Sequence, residues 1–201
     1  MLSQNFLWKV RLRLAVFVIA TAFLSTSCAG SLFKVKPAVE LPPLAGNVKT
    51  ASAGGVSVRI APLLTDEENQ DLFETNLPLI GILPVRLELV FESGLPVETK
   101  RLRFRLRDAE AREWKFLTPK QAIGRILKAN NVYTYNPNSR KQFEKDFTAY
   151  AIDLKVPLSD SERRRQGFIF FETPKKEPVE SPRRLVLTIE RLPQPIEIQL
   201  N

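Results

Sequence analysis

From residue 56 onward, apolar and polar positions alternate mostly with a period of two, which predicts a chain built mainly of strands. Val56, Val58 and Ile60 alternate with Ser57 and Arg59 as a first strand. Residues 80–91 return to this pattern, with Leu87, Leu89 and Phe91 on one face and Arg86, Glu88, Val90 and Glu92 on the other. The most regular stretch is Arg101-Leu102-Arg103-Phe104-Arg105-Leu106-Arg107, where apolar residues take one face and four arginines the other. Such a strand buries a single side, as in a two-layer antiparallel sheet. Residues 113–117 form a returning strand, and Ile152, Leu154 and Val156 alternate as another. The bulky run 167–171 follows, then Leu185, Leu187 and Ile189, then Ile196, Ile198 and Leu200. Turn residues at Ser93-Gly94-Leu95-Pro96 and Pro193-Gln194-Pro195 separate the runs. Seven or eight strands punctuated in this way predict a β-sandwich.

Helical periods interrupt the strands in two places. Thr65-Asp66-Glu67-Glu68 has the Thr-x-x-Glu pattern of a capping box, and it predicts a short helix to about Phe73. Thr118-Pro119 supplies a cap and a first-turn proline, after which Ile123, Ile126 and Leu127 make a stripe that Asn130-Asn131 ends. The four-residue spacing of Phe143 and Phe147 adds another helical turn or two. Residues 118–148 thus read as a helical insertion containing an aromatic, amide-rich loop, Tyr133-Thr134-Tyr135-Asn136-Pro137-Asn138.

The start of the chain follows a different pattern. Lys9, Arg11 and Arg13 precede an apolar run over residues 14–24, broken only by Thr21, and small residues then lead to Cys28. This is the three-part layout of a secretory signal. A membrane-spanning helix needs about 20 apolar residues, more than this run offers. Leu24-Ser25-Thr26-Ser27-Cys28 resembles the lipobox of bacterial lipoproteins, with Leu24 one residue earlier than is usual in that family. The resemblance implies cleavage after residue 27 and lipid attachment at Cys28. Ala29 is not the Asp that retains many lipoproteins in the inner membrane, which favours the outer membrane. Residues 28–55, with prolines at 37, 42 and 43 and no sustained period, read as a tether able to hold a domain tens of ångströms away. Docking of residues 41–44 on the domain is the alternative.

Composition narrows the chemistry. The hydrophobic fraction of 44% is that of a folded protein, and residues 56–201 are enough for one domain. Net charge is +8, three of those cations belonging to the signal. The excess suits anionic envelope polymers or lipid headgroups and is too diffuse for nucleic acid. There is no histidine, and Cys28 is the single cysteine. Histidine triads and histidine metal sites are excluded, as is an intramolecular disulfide; with the thiol acylated, thiol catalysis and thiolate zinc sites go too. Acid–base work could fall only to carboxylates, Lys or Tyr. No cofactor or metal is expected.

Gly167-Phe168-Ile169-Phe170-Phe171-Glu172-Thr173-Pro174 is similar to a segment of bacterial envelope lipoproteins and secreted antigens with an immunoglobulin-like sandwich. Those proteins often carry a Gly and an apolar strand ending in Phe-acid-x-Pro before their last strands. Residues 83–108 resemble their central hairpin, which ends in Leu-x-Asp, here Leu106-Arg107-Asp108. The polar turn lacks the usual Asn, and Ala111 stands where a Gly is expected after the Asp. The resemblance implies an immunoglobulin-like antiparallel β-sandwich over residues 56–201 with short inserted helices.

Two surfaces are candidates for binding. Arg101, Arg103, Arg105 and Arg107 repeat about every 6.8 Å along one strand face, a spacing suited to a polyanion. Cross-strand pairing with Glu88 and Glu92 on the preceding strand is the structural alternative. Tyr133 and Tyr135 could stack on sugar, within a loop that otherwise packs. Arg163-Arg164-Arg165 reads as a solvated charge run in a loop, Asp108 and Glu110 as turn acids, and Trp114 as core. The expectation is a lipid-anchored, non-catalytic binding or assembly module. Its partners are the membrane, through the lipid, and another envelope protein or anionic polymer. A hydrolase of envelope glycans is the alternative, and it needs two carboxyls at a defined separation.

Overall fold

The computed structural model describes residues 35, 41, 43–44, 47–132, 136–180 and 182–201, all within one compact unit. Eight strands form one antiparallel sheet: β1 (Lys49–Ala53), β2 (Val56–Pro62), β3 (Ile82–Phe91), β4 (Arg103–Arg107), β5 (Glu113–Leu117), β6 (Arg164–Glu172), β7 (Val186–Glu190) and β8 (Ile196–Gln199). Their order is β1-β2-β3-β6-β5-β4-β7-β8, and β8 returns to lie beside β1, so the sheet nearly closes into a barrel. The chain is mainly β, as the period-two pattern predicts.

Alternation along the strands fills the interior. Val56, Val58 and Ile60 of β2, Leu83 through Phe91 at every second position of β3, and Phe104 and Leu106 of β4 all point inward. Trp114, Leu187 and Ile198 join them, with Ile169 and Phe171 of β6. Strand β6 is apolar on both faces because it is covered on both. Its outward residues Phe168 and Phe170 meet a second core beneath helices α1 (Asp66–Phe73), α2 (Pro119–Ala129) and α3 (Pro137–Tyr150). Phe73 sits centrally there, its ring centroid 5.4–5.6 Å from Phe147, Tyr150 and Phe168.

Both expected helix starts are present. Thr65 accepts from the Glu68 backbone N–H at 3.3 Å while the Glu68 carboxylate reaches back, and Gln121 completes the same box with Thr118. Helix α3 is longer than one or two turns and begins inside the expected loop, where Asn136 accepts from the Asn138 N–H at 2.9 Å.

Three segments depart from the sequence reading. The stretch 28–55 contains β1, and Val35 and Leu44 within it are buried. Lys49-Thr50-Ala51-Ser52-Ala53 has almost no apolar contrast, so nothing marked it as a strand. Residues 152–156 alternate but form no strand; the Ile152 N–H donates to Phe168 O at 3.0 Å, and the Thr99 hydroxyl lies 2.9 and 2.7 Å from Leu154 O and Val156 O as donor. Arg164 and Arg165 begin β6 instead of lying in a loop, because they complete the ladder with Val90 and Leu89.

The antiparallel order defines two ends. At the entry end, β1 begins, helix α1 links β2 to β3, the β4–β5 turn folds back, and residues 173–185 cross to β7. At the far end lie the Gly54-Gly55 turn, the 92–102 crossing from β3 to β4, and the β7–β8 turn. These last three touch: Gly55 O accepts from the Glu92 and Ser93 N–H groups at 2.8 and 3.2 Å, and a Cβ on Gly54 would come within 2.8 Å of Pro193.

Candidate functional site

The arginine strand turns its cations outward, as its alternation predicts, but among different neighbours. Strand β4 lies between β5 and β7, so Glu88 and Glu92 are not opposite it. The correction is topological: the chain crosses the far end between β3 and β4 instead of making a hairpin, and β3 pairs with β2 and β6. Arg103 stands opposite Glu190, and Arg107 opposite Glu113. Arg105 forms an ion pair with Glu190 at 3.2 Å, and Glu197 lies one strand further on. Acids interleave this row, so it offers no continuous basic strip. Arg101 leaves it altogether, on a 3-10 turn (Thr99–Arg101) at the far end.

A polar cleft of about 500 Å³ opens at the entry end beside the β4–β5 turn. Asp108 anchors it, accepting from the Glu110 and Arg112 backbone N–H groups at 3.1 and 3.0 Å, Arg112 Nε at 2.9 Å and Trp114 Nε1 at 3.1 Å. Burial pushes the Asp108 carboxyl up, but the Trp114 indole and both Arg112 donors together outweigh it and hold the group below its ordinary value. Its work is to fold the turn, in agreement with the reading of Asp108 and Glu110 as turn acids. Trp114 is buried in the barrel core, as expected.

The far end carries the most exposed apolar side chain of its kind among the described residues. Leu95 is 84% exposed at the tip of the Ser93-Gly94-Leu95-Pro96 turn. It borders an open groove of about 620 Å³ with Pro96, Pro193, Gly54, Arg101 and Arg191. Arg101 and Arg191 are exposed, and neither has an ion pair among the described residues. The groove therefore combines apolar side chains with two cations that have no ion pair among the described residues, beside Glu98, which pairs with Lys100 at 3.2 Å. Turn chemistry marked the loops at 93–96 and 193–195 singly, but only the barrel topology brings residues 54, 95, 101 and 193 together.

Cys28, Tyr133 and Tyr135 lie outside the described residues. Among the described residues no helix is long and apolar enough to cross a membrane, and no group of acids or cysteines could hold a metal ion. No family model matches the chain, nor does any curated protein or solved structure.

Proposed function

We propose that the chain is a lipid-anchored protein of the bacterial cell envelope, held at the outer membrane through Cys28, and that it binds another envelope protein with the far end of its barrel. The observation that carries this reading is Leu95, exposed between Pro96 and Pro193 and flanked by the unpaired Arg101 and Arg191. An apolar anchor ringed by arginine is the composition of a protein-binding hot spot, and the cations fit a partner surface edged with acids. The position also suits a tethered module. The chain joins the sheet at the start of β1, so the loops that would do the binding are at the opposite end.

The same reading takes the near-barrel as an immunoglobulin-like sandwich. Its layers would be β1, β2, β3 and β6 against β4, β5, β7 and β8, and the β5–β6 ladder that joins them is confined to the pairs from Lys115↔Glu172 to Leu117↔Phe170. Hydrogen exchange as fast at that ladder as at a sheet edge would support two layers; strong protection would favour one closed sheet.

A photo-crosslinking residue in place of Leu95, activated in intact cells, tests the binding surface. The expected product is one envelope protein, with the yield falling when Arg101 and Arg191 are both changed to Glu. Unchanged yield in the charge-reversed chain, or no protein adduct at all, would sink the proposal.

A further inference from the structure

The outer face of β2, β3 and β6 gathers Arg59, Arg86 and Arg164 around Glu88, with Glu172 further along β6 and paired to Arg125 at 3.3 Å. Glu88 is 1% exposed and is already doubly engaged, by Arg59 Nη1 at 2.9 Å and by Arg164 Nε. Arg86, two residues along β3 on the same face, is 6% exposed and has no such partner. Its Nε and Nη2 are buried without a hydrogen bond. A buried guanidinium left in this state is costly, and native structures ordinarily satisfy such donors. Burial lowers the Arg86 pKa, Glu88 acts against that, and Arg164 adds to it.

The space beside this side chain is a cavity of about 480 Å³. Ala61, directly opposite Arg86 on β2, borders it. Leu63, Leu64 and Leu72 line it from the β2–α1 side, and Pro43 and Leu44 from the preceding segment. The volume is within the range of small-molecule sites, and the lining sets these apolar side chains beside Arg86, Asn47 and Thr65. Glu68 and Asp71 also border it. Glu68 is turned to Thr65 in the capping box, and Asp71 has a partner of its own. With two acids against one guanidinium the lining has no spare positive charge, so an anion is held only in direct contact with Arg86, and a doubly charged one is repelled more than a singly charged one. That balance favours a carboxylate over a phosphate monoester.

We infer that this cavity is a binding site for a small amphipathic carboxylate, its head on the Arg86 guanidinium and its aliphatic body against Leu63, Leu64 and Leu72. The site is separate from the far-end groove and does not depend on the function proposed for that groove. Binding would set a carboxylate against the part of the Arg86 guanidinium that borders the cavity and fill apolar space, two gains that no neutral or cationic chain of the same length supplies together.

Octanoate is the probe, with octanol and octylamine as controls, added to the full-length chain at fixed detergent concentration and followed by calorimetry and by Tm. Saturable octanoate binding is expected, with an upward Tm shift, weaker binding of octanol and none of octylamine. Arg86→Met should weaken octanoate binding at least about tenfold, the loss of one charged hydrogen-bond partner. Without ligand, the same variant should melt no lower than the wild type, because an unpaired buried charge has been removed. Should Arg86→Met fail to fold, Leu64→Trp narrows the cavity without touching the charge and should also abolish binding. Equal octanoate affinity in wild type and either variant, octylamine binding as well as octanoate, or no saturable binding would overturn the assignment.

Discussion

Gly167 is held by a chain crossing. The segment leaving α3 passes directly over β6, where the Ile152 N–H donates to Phe168 O at 3.0 Å, and a Cβ on Gly167 would lie 2.5 Å from the Ile152 backbone. Backbone on both sides leaves no flexible side chain to yield. Gly167→Ala should therefore cost about 1–3 kcal/mol, the range for overpacking, as read from urea denaturation; a neutral result would mean the crossing is looser than its hydrogen bond implies. Ala111 is the converse case. It holds φ 59°, a left-handed conformation that disfavours a Cβ, at the position where the family resemblance expects Gly. Relief of about 1–2 kcal/mol is partly offset by the greater freedom of glycine in the unfolded chain. Ala111→Gly should raise stability by up to about 1 kcal/mol. In the same turn, Asp108 has its folded pKa lowered, so the unfolded chain binds more protons as the medium turns acid. Its contribution is present above the unfolded value near 4 and is lost as pH falls through the lower folded value. The stability advantage of wild type over Asp108→Asn should be constant from about pH 6 to pH 5 and shrink below about pH 4. An advantage independent of pH would show that the Asp108 charge is not what holds the turn.

At the scale of elements, the helical layer depends on one ring. Phe73 closes α1 and packs on Phe147 and Tyr150 of α3 and on Phe168 and Phe170 of β6. Phe73→Ala should cost about 3–5 kcal/mol, with hydrogen exchange rising first in α1 and α3. Protection lost evenly across the barrel would mean that the two cores are one cooperative unit. Why the sequence revealed some elements and concealed others follows from such contacts. Strands β2, β3 and β4 carry strong apolar contrast and β6 a continuous bulky run, so all four were legible, as were the capped helix starts at Thr65 and Thr118. Strand β1 has none, since its pairing with β2 is backbone work. Residues 152–156 have contrast without a strand: Ile152 and Leu154 pack on the barrel core, while Val156 is exposed. The site was legible only in fragments. The arginines of β4 face outward as alternation dictates, but their true neighbours, Glu113 and Glu190, depend on a crossover that no local pattern records. Arg86 belongs to a polar face whose burial beneath α1 and Leu44 appears only in three dimensions.

For the whole molecule, position and folding should be separable. Among the described residues the members of both cores run from residue 35 onward, and Cys28 lies outside the described residues. Cys28 is nonetheless the single thiol of the chain, placed at the end of a lipobox-like stretch. If its role is lipid attachment, Cys28→Ala should leave the unfolding transition of the barrel within about 0.5 kcal/mol of wild type, as for a substitution outside the core. The same change should prevent acylation, and washed membranes should lose the mature, signal-cleaved protein to the soluble fraction. Metabolic labelling with a clickable palmitate analogue gives the decisive reading, since label should be incorporated by wild type and absent from Cys28→Ala. Label retained in the variant would place the lipid elsewhere. Absence of label from both would remove the anchor, and the Leu95 groove would then have to find its partner by free diffusion, without the raised local concentration that tethering provides.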